Sequence, residues 1–192
     1  MRDPRCATLD RHTIANIRSN PESPSLPGMP DASTDGDSTE ITVKPIGFIV
    51  GGRDEAIDDQ WGPVQSTIAL DGNIVGPDAT AGLEEFSHIE VVFVFDRVSD
   101  AEITRGARHP RGRVDWPAVG ILAQRAKVRP NRIGVTVCEL LAVDGYRLLV
   151  KGLDASDATP VLDVKPYMPA FGPRGAVRQP VWAEELMRDY WF

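Results

Sequence analysis

Between Arg105 and Arg132 the chain places seven arginines and one lysine against a single acid, Asp115, in a protein whose formal net charge is −7. Guanidinium groups recognise planar anions through paired N–H donors, so such a block suits a carboxylate, a phosphate or a nucleic-acid backbone. A solvated charge run with no partner is the alternative for the same pattern. Pro110, Gly112, Pro117, Gly120 and Pro130 interrupt the block. It cannot be one helix face, and reads as a loop, a short buried strand and a second loop.

Other stretches also concentrate residues able to do chemistry. DDQWGPVQS (58–66) sets two acids and an aromatic on a Gly-Pro loop. Asp96 and Arg97 end the apolar run HIEVVFVFD, and Asp157 to Pro160 form a polar connection before PVLDVKPY. Asp163, Lys165 and Tyr167 alternate and therefore share one face of a strand, where an Asp–Lys ion pair is one reading. His88, at the start of an apolar strand, suits a structural role, whereas His109 is open between substrate contact and plain surface. Three scattered histidines and two distant cysteines, Cys6 and Cys138, make no metal site. Cys138, inside IGVTVCELLAV, reads as a small buried hydrophobe.

The elements positioning these groups are mostly strands. ITVKPIGFIV from Ile41, STIALDGNI with its Asp71-Gly72 turn, and the central strand 88–96, expected to be buried on both faces, come first. A short strand at 119–124, a hairpin over 133–154 turning at Val143-Asp144-Gly145, and a strand at 160–167 follow. Leu83 to Phe86 has room for one helical turn. The convincing helix is at the C-terminus, 181–192, with Trp182, Leu186 and Tyr190 on one face. Six or seven strands without crossover helices predict a mainly β barrel or sandwich, and no glycine-rich strand-to-helix loop supports a dinucleotide fold.

Residues 1–40 hold five prolines and five serines among acids, and predict a disordered tail before a folded domain at 41–192. No run of 18 apolar residues suggests a membrane span, and the N-terminus lacks the apolar core of a signal peptide. The expected location is therefore cytoplasmic.

The order and spacing of FSHIEVVFVF, RPNRIGVT and LDVKPY across residues 41–170 resemble the TsaA family, whose best-understood members are the TrmO tRNA methyltransferases. The resemblance implies a small β-barrel, a homodimer and S-adenosylmethionine as cofactor. It further implies methyl transfer to adenine N6 of threonylcarbamoyladenosine at tRNA position 37. Carried over by position, cofactor contacts are expected at Gly62, Pro63 and Val64, at Asp96 and Arg97, at Arg125 with the backbone near Val135, and at Asp157, Ala158, Thr159 and Pro160. Lys165, Pro166 and Tyr167 are further pocket candidates. Within the basic block Arg125 is assigned to the cofactor carboxylate, and Arg108, Arg111, Arg113 and Arg129 to the substrate anion. Asp96, Asp157 and Tyr167 are the candidate bases, with no ground in the sequence for choosing among them.

Many relatives carry His at the position of Asp96 and Gly at that of Ala158. An alanine restricts positive φ, so a differently shaped loop is expected there. Trp182 and Trp191 are read as packing or dimer contacts. Two other functions remain open: a methyltransferase of this fold acting on another RNA or a small molecule, and a cofactor-binding module without turnover.

Overall fold

Burial alternates with period two along most of the barrel strands, because one side of each strand faces a common interior. The computed structural model of the protein describes residues 41–55 and 57–192. The expected tail at 1–40 lies outside the described residues. Among those described, the strands are β1 (Gly47–Val50), β2 (Gln65–Leu70), β3 (His88–Val94), β4 (Ala107–Arg108), β5 (Val119–Gly120), β6 (Ile133–Asp144), β7 (Arg147–Lys151) and β8 (Pro160–Pro166).

Six of them close into an antiparallel barrel in the order β1-β2-β7-β6-β3-β8, while β4 and β5 form a separate ribbon. Closure leaves the barrel strands with no unpaired edge. Ile49, Ile68, Ile89, Val91, Phe93, Cys138, Leu148, Val150 and Val161 fill its interior. Gly134 lies opposite Phe93 in the β3–β6 pairing. A Cβ at Gly134 would stand 2.4 Å from the Phe93 ring, so the missing side chain makes room for the aromatic. The β6–β7 hairpin turns through Gly145, whose φ of 53° suits the first central position of a two-residue hairpin loop.

Several expectations need correction. The first strand begins at Gly47 and not at Ile41; Pro45 offers no N–H to a ladder, and Ile41 and Val43 are exposed. β3 is not buried on both faces: Ile89, Val91 and Phe93 point inward, while the alternate residues are exposed or half-buried. A six-stranded barrel has one interior, so only one face of each strand is sealed. The strand expected at 119–124 pairs over Val119–Gly120 alone, then turns through Ile121–Ala123. That turn sends Ile121 into a satellite core with Val98 and Val128.

The helix is shorter than expected. α1 spans Val181–Met187 instead of 181–192. Beyond it, the carbonyls of Asp189 and Tyr190 accept from Gln60 N at 3.1 Å and Trp61 N at 2.9 Å. The last residues thus leave helical geometry to pair with the loop before β2.

Candidate functional site

Asp96 and Arg97 leave the C-terminal end of β3, where the connection from β7 to β8 also emerges. Arg97 Nη2 donates to the Asp157 carbonyl at 2.8 Å, and Nη1 pairs with Asp54 Oδ1 at 2.8 Å. Asp157 in turn accepts from Gly51 N at 2.8 Å. Ala158 holds φ at 63° and donates its N–H to Ile49 O at 2.9 Å. Ala158 thus adopts the left-handed conformation despite its Cβ. Such a conformation costs a non-glycine residue about 1–2 kcal/mol.

A cavity of about 440 Å³ opens at this mouth. Asp96, Arg97, Arg125 and Thr159, four of the expected cofactor contacts, line it together with Arg108 and Arg111. Trp61, Phe95 and Asp154 extend the lining, and Trp182, Leu186 and Tyr190 close it from the C-terminal segment. The apolar face of that segment packs within its own chain, so the aromatic residues are wall and not a bare surface.

Other expected residues stand elsewhere. Gly62, Pro63 and Val64 do not line the cavity. A Cβ on Gly62 would lie 2.0 Å from the Trp191 carbonyl, so this loop is the seat of the C-terminal segment. Asp157, Ala158 and Pro160 do not line the cavity but belong to the loop that presents Thr159. Val135 and Arg129 line a second cavity of about 650 Å³ next to the first.

Tyr167 is at the far end of the barrel from Asp96: its N–H donates to His88 O, at the start of β3. Seven strand residues at roughly 3.3 Å each put the two ends on the order of 20 Å apart. Lys165 beside it pairs with Asp163, as one reading of the sequence had it. His88 Nδ1 is 2.9 Å from Ser87 Oγ, and His109 Nδ1 is 2.7 Å from the Trp116 carbonyl.

The basic block is internally committed to a degree that its sequence does not reveal. Arg111 makes a two-pronged contact to Asp59 at 2.9 and 2.6 Å, with its guanidinium 5.9 Å from the Tyr190 ring centre. Arg113 pairs with Asp115 and lies 4.1 Å over Trp116, away from the cavity. Arg129 donates to Gln124 O at 3.1 Å, and Arg125 to Val135 O. Gln124 is buried and its amide donates to Arg108 O and Val119 O, at 3.0 and 2.8 Å, tying the block's loops together.

Sequence reasoning missed a carboxylate at the centre. Asp154 accepts from the Thr136 hydroxyl at Oδ1 and from the Tyr190 hydroxyl at Oδ2, the latter at 2.5 Å. Burial pushes the Tyr190 phenol well above its ordinary value, and the neighbouring Asp154 charge adds to the rise. The phenol thus stays protonated and donates. A sequence signal existed: Gly134, Thr136 and Cys138 share the inward face of β6, and a threonine there needs a polar partner. Phe95, Arg125, Asp154 and Tyr190 belong to both cavities and form the partition between them. Among the described residues, no cluster of His, Cys, Asp and Glu could hold a metal, and no helix is long and apolar enough to cross a membrane.

Residues 59–172 match the family described as tRNA-methyltransferase O N-terminal domain. A probable S-adenosyl-L-methionine-binding protein of Pyrococcus abyssi is 36% identical over 145 residues, covering 72% of this chain and 74% of that protein. The mouse tRNA (adenine(37)-N6)-methyltransferase is 39% identical over 87 residues, 45% of this chain. The chain spans only about 20% of that mouse relative. The crystal structure of TrmO from Pseudomonas aeruginosa superposes with a TM-score of 0.58 at 30% identity, covering 72% of this chain and 61% of that one.

Proposed function

The chain belongs to the tRNA-methyltransferase O N-terminal domain family, and from that premise we propose that it is an S-adenosylmethionine-dependent methyltransferase acting on adenine N6 of threonylcarbamoyladenosine at tRNA position 37. The observation that carries the proposal is the assembly of Asp96, Arg97, Arg125 and Thr159 around one cavity at the barrel mouth, beside the basic block.

The lining fits the cofactor's chemistry. Its volume falls in the range of roughly 300–1,000 Å³ usual for small-molecule sites. Arg97 and Arg125 suit the carboxylate of a methionine moiety; each guanidinium has five N–H donors and uses only some on the protein. Asp96 and Asp154 suit an ammonium or sulfonium centre, and Trp61, Phe95 and Tyr190 offer faces for an adenine ring. S-adenosylmethionine, when bound, supplies a methyl group already activated on sulfur. The protein's task is then alignment and exclusion of water, which the aromatic wall of the C-terminal segment supports.

Of the three candidate bases, Asp96 lines the cavity, Asp157 accepts from Gly51 N and does not line it, and Tyr167 is at the other end of the barrel. Asp154 joins Asp96 as a carboxylate within reach of a substrate. The same reading has residues 41–192 as the working domain of a cytoplasmic homodimer. Incubating the protein with methyl-labelled cofactor and tRNA, with or without the threonylcarbamoyl group, tests it by nucleoside mass spectrometry. Label on N6 of the modified adenosine is the expected result; absence of label on every tRNA overturns it.

One observation favours a second reading, a methyltransferase for another RNA or a small molecule. Arg111 and Arg113, assigned to the substrate anion, are paired with Asp59 and Asp115. Methyl transfer to a small acceptor purified from a cell extract, with tRNA inert, would establish it.

A further inference from the structure

The walls of the first cavity are not equally fixed. Its barrel walls belong to a closed ladder, and the β4–β5 ribbon is tied down through the buried Gln124 amide. The wall supplied by the C-terminal segment is different. No residue of α1 is buried, no side chain caps its start, and seven residues make a helix that is marginal by itself. Even so, Trp182, Leu186 and Tyr190 line the first cavity, and Met187, Tyr190 and Trp191 line the second. Residues 173–180, which lead to the helix, are all exposed and lie outside every strand and helix. Gly175 in that lead takes a φ of 80°.

A short series of bonds holds the segment down. Trp116 Nε1 donates to Glu185 Oε2 at 2.7 Å, and the Tyr190 hydroxyl donates to Asp154 Oδ2 at 2.5 Å. Gln60 N and Trp61 N donate to the carbonyls of Asp189 and Tyr190. Two residues on the receiving side, Gln60 and Arg111, are held at φ of 63° and 51°. The Arg111 guanidinium stands 5.9 Å from the Tyr190 ring centre. Non-glycine residues in this left-handed region collect at ligand clamps and switch regions. Segments with few buried contacts also open at lower free energy than the core beneath them.

We propose that residues 173–192 form a strap that swings away from the barrel mouth to admit S-adenosylmethionine and closes over it, with the Tyr190–Asp154 hydrogen bond as its latch. The proposal rests on the methyltransferase reading. Trp182, Leu186 and Tyr190 reach the cavity only in the closed position, so a bound cofactor favours closure through contacts that the open position lacks. Tyr190 is then a positioning residue that acts through Asp154. Its hydroxyl fixes one carboxylate oxygen while Thr136 fixes the other. Closing the strap thus completes the site and excludes water in one movement.

The test uses the full chain, S-adenosylhomocysteine as the demethylated cofactor, and two variants whose folding a thermal melt checks. Tyr190→Phe removes the latch and keeps the ring. Glu185→Ala removes an anchor that lines neither cavity. In ligand-free wild type, amides of residues 182–190 should exchange with deuterium on the order of a hundredfold faster than those of β3 and β6. Bound S-adenosylhomocysteine should slow the segment's exchange about tenfold. Stopped-flow release of the ligand should quicken about tenfold in each variant, as loss of a charge-assisted hydrogen bond implies. Release within about twofold of wild type in both variants overturns the strap. Faster release in Tyr190→Phe alone makes Tyr190 a fixed wall contact and also overturns it. So does ligand-free protection of 182–190 equal to that of β3. Ligand-slowed exchange in a protein that methylates no tRNA leaves the strap standing and removes the enzyme reading; tRNA methylation with exchange that the ligand does not change does the reverse.

Discussion

Asp154 and Cys138 show how position in the barrel sets the chemistry of single residues. Asp154 sits where β7 leaves the barrel, and two hydroxyls, from Thr136 and Tyr190, satisfy its two oxygens. Hydrogen bonds to a carboxylate contribute about 1.5–3 kcal/mol each when one partner is charged, which gives the partition between the cavities a fixed geometry. Cys138 is the contrary case. It is sealed in the interior, and burial raises its thiol from the ordinary 9.0 to about 12, with Asp154 adding to the rise. The folded protein therefore holds this proton more tightly than the unfolded chain. The resulting stability is present below pH 9 and is lost as pH rises toward 12. Urea unfolding across that range should show a steeper decline in wild type than in Cys138→Ala, which keeps only the part due to the raised Tyr190 phenol, and native Cys138 should resist alkylation at pH 8. Rapid labelling of the native thiol would contradict its burial.

At the scale of elements, the C-terminal segment is the feature that a periodicity argument could not place. Its i, i+4 pattern of Trp182, Leu186 and Tyr190 correctly marks one apolar face, and all three residues line the first cavity. The pattern cannot say where the helix ends: beyond Met187 the chain tightens through i−3 bonds from Arg188 N to Glu185 O and from Tyr190 N to Met187 O, and the loop at 60–62 then holds the carbonyls of Asp189 and Tyr190. Further fixing comes from Trp116 Nε1, which donates to Glu185 Oε2 at 2.7 Å, and from the tilted Trp116–Trp182 pair. The segment lies beyond the family match, which ends at residue 172. Gly62→Ala tests the docking directly. A Cβ there meets backbone, which no side-chain rotation relieves. The expected outcome is destabilisation of about 1–3 kcal/mol, with limited proteolysis cutting between residues 173 and 192 faster than in wild type. Unchanged proteolysis would show that the segment does not depend on this contact.

For the whole molecule, a net charge of −7 and a local basic block oppose one another, and the ion pairs decide how much of the block remains for a polyanion. With Arg111 and Arg113 paired to acids and Arg125 given to the cofactor carboxylate, Arg108, Lys127 and Arg129 are the cations of the block left facing the two cavities. Three phosphate contacts imply a slope of about −2 in log K against log salt, or a loss on the order of twenty-fold between 50 and 200 mM salt. Anisotropy titrations of tRNA over that range, with cofactor present, check the value. A slope near about −4 would mean that Arg111 and Arg113 exchange their carboxylates for RNA, and a slope near zero would remove RNA from the block.

Much of this molecule is set by local sequence. Short runs rich in apolar and β-branched residues, bounded by turn signals, specify β2, β3 and β8, Gly145 closes the β6–β7 hairpin, and the absence of crossover helices leaves a barrel or sandwich as the fold. The segments FSHIEVVFVF, RPNRIGVT and LDVKPY carry the family. Those signals are readable because each rests on residues a few positions apart. Arg111 meets Asp59 across 52 positions and Tyr190 meets Asp154 across 36. No spacing rule reaches that far. Packing of the loops and the C-terminal segment onto the closed barrel brings these groups together, and so tertiary structure decides which arginines are engaged, which carboxylate stands at the centre, and that one mouth holds two cavities.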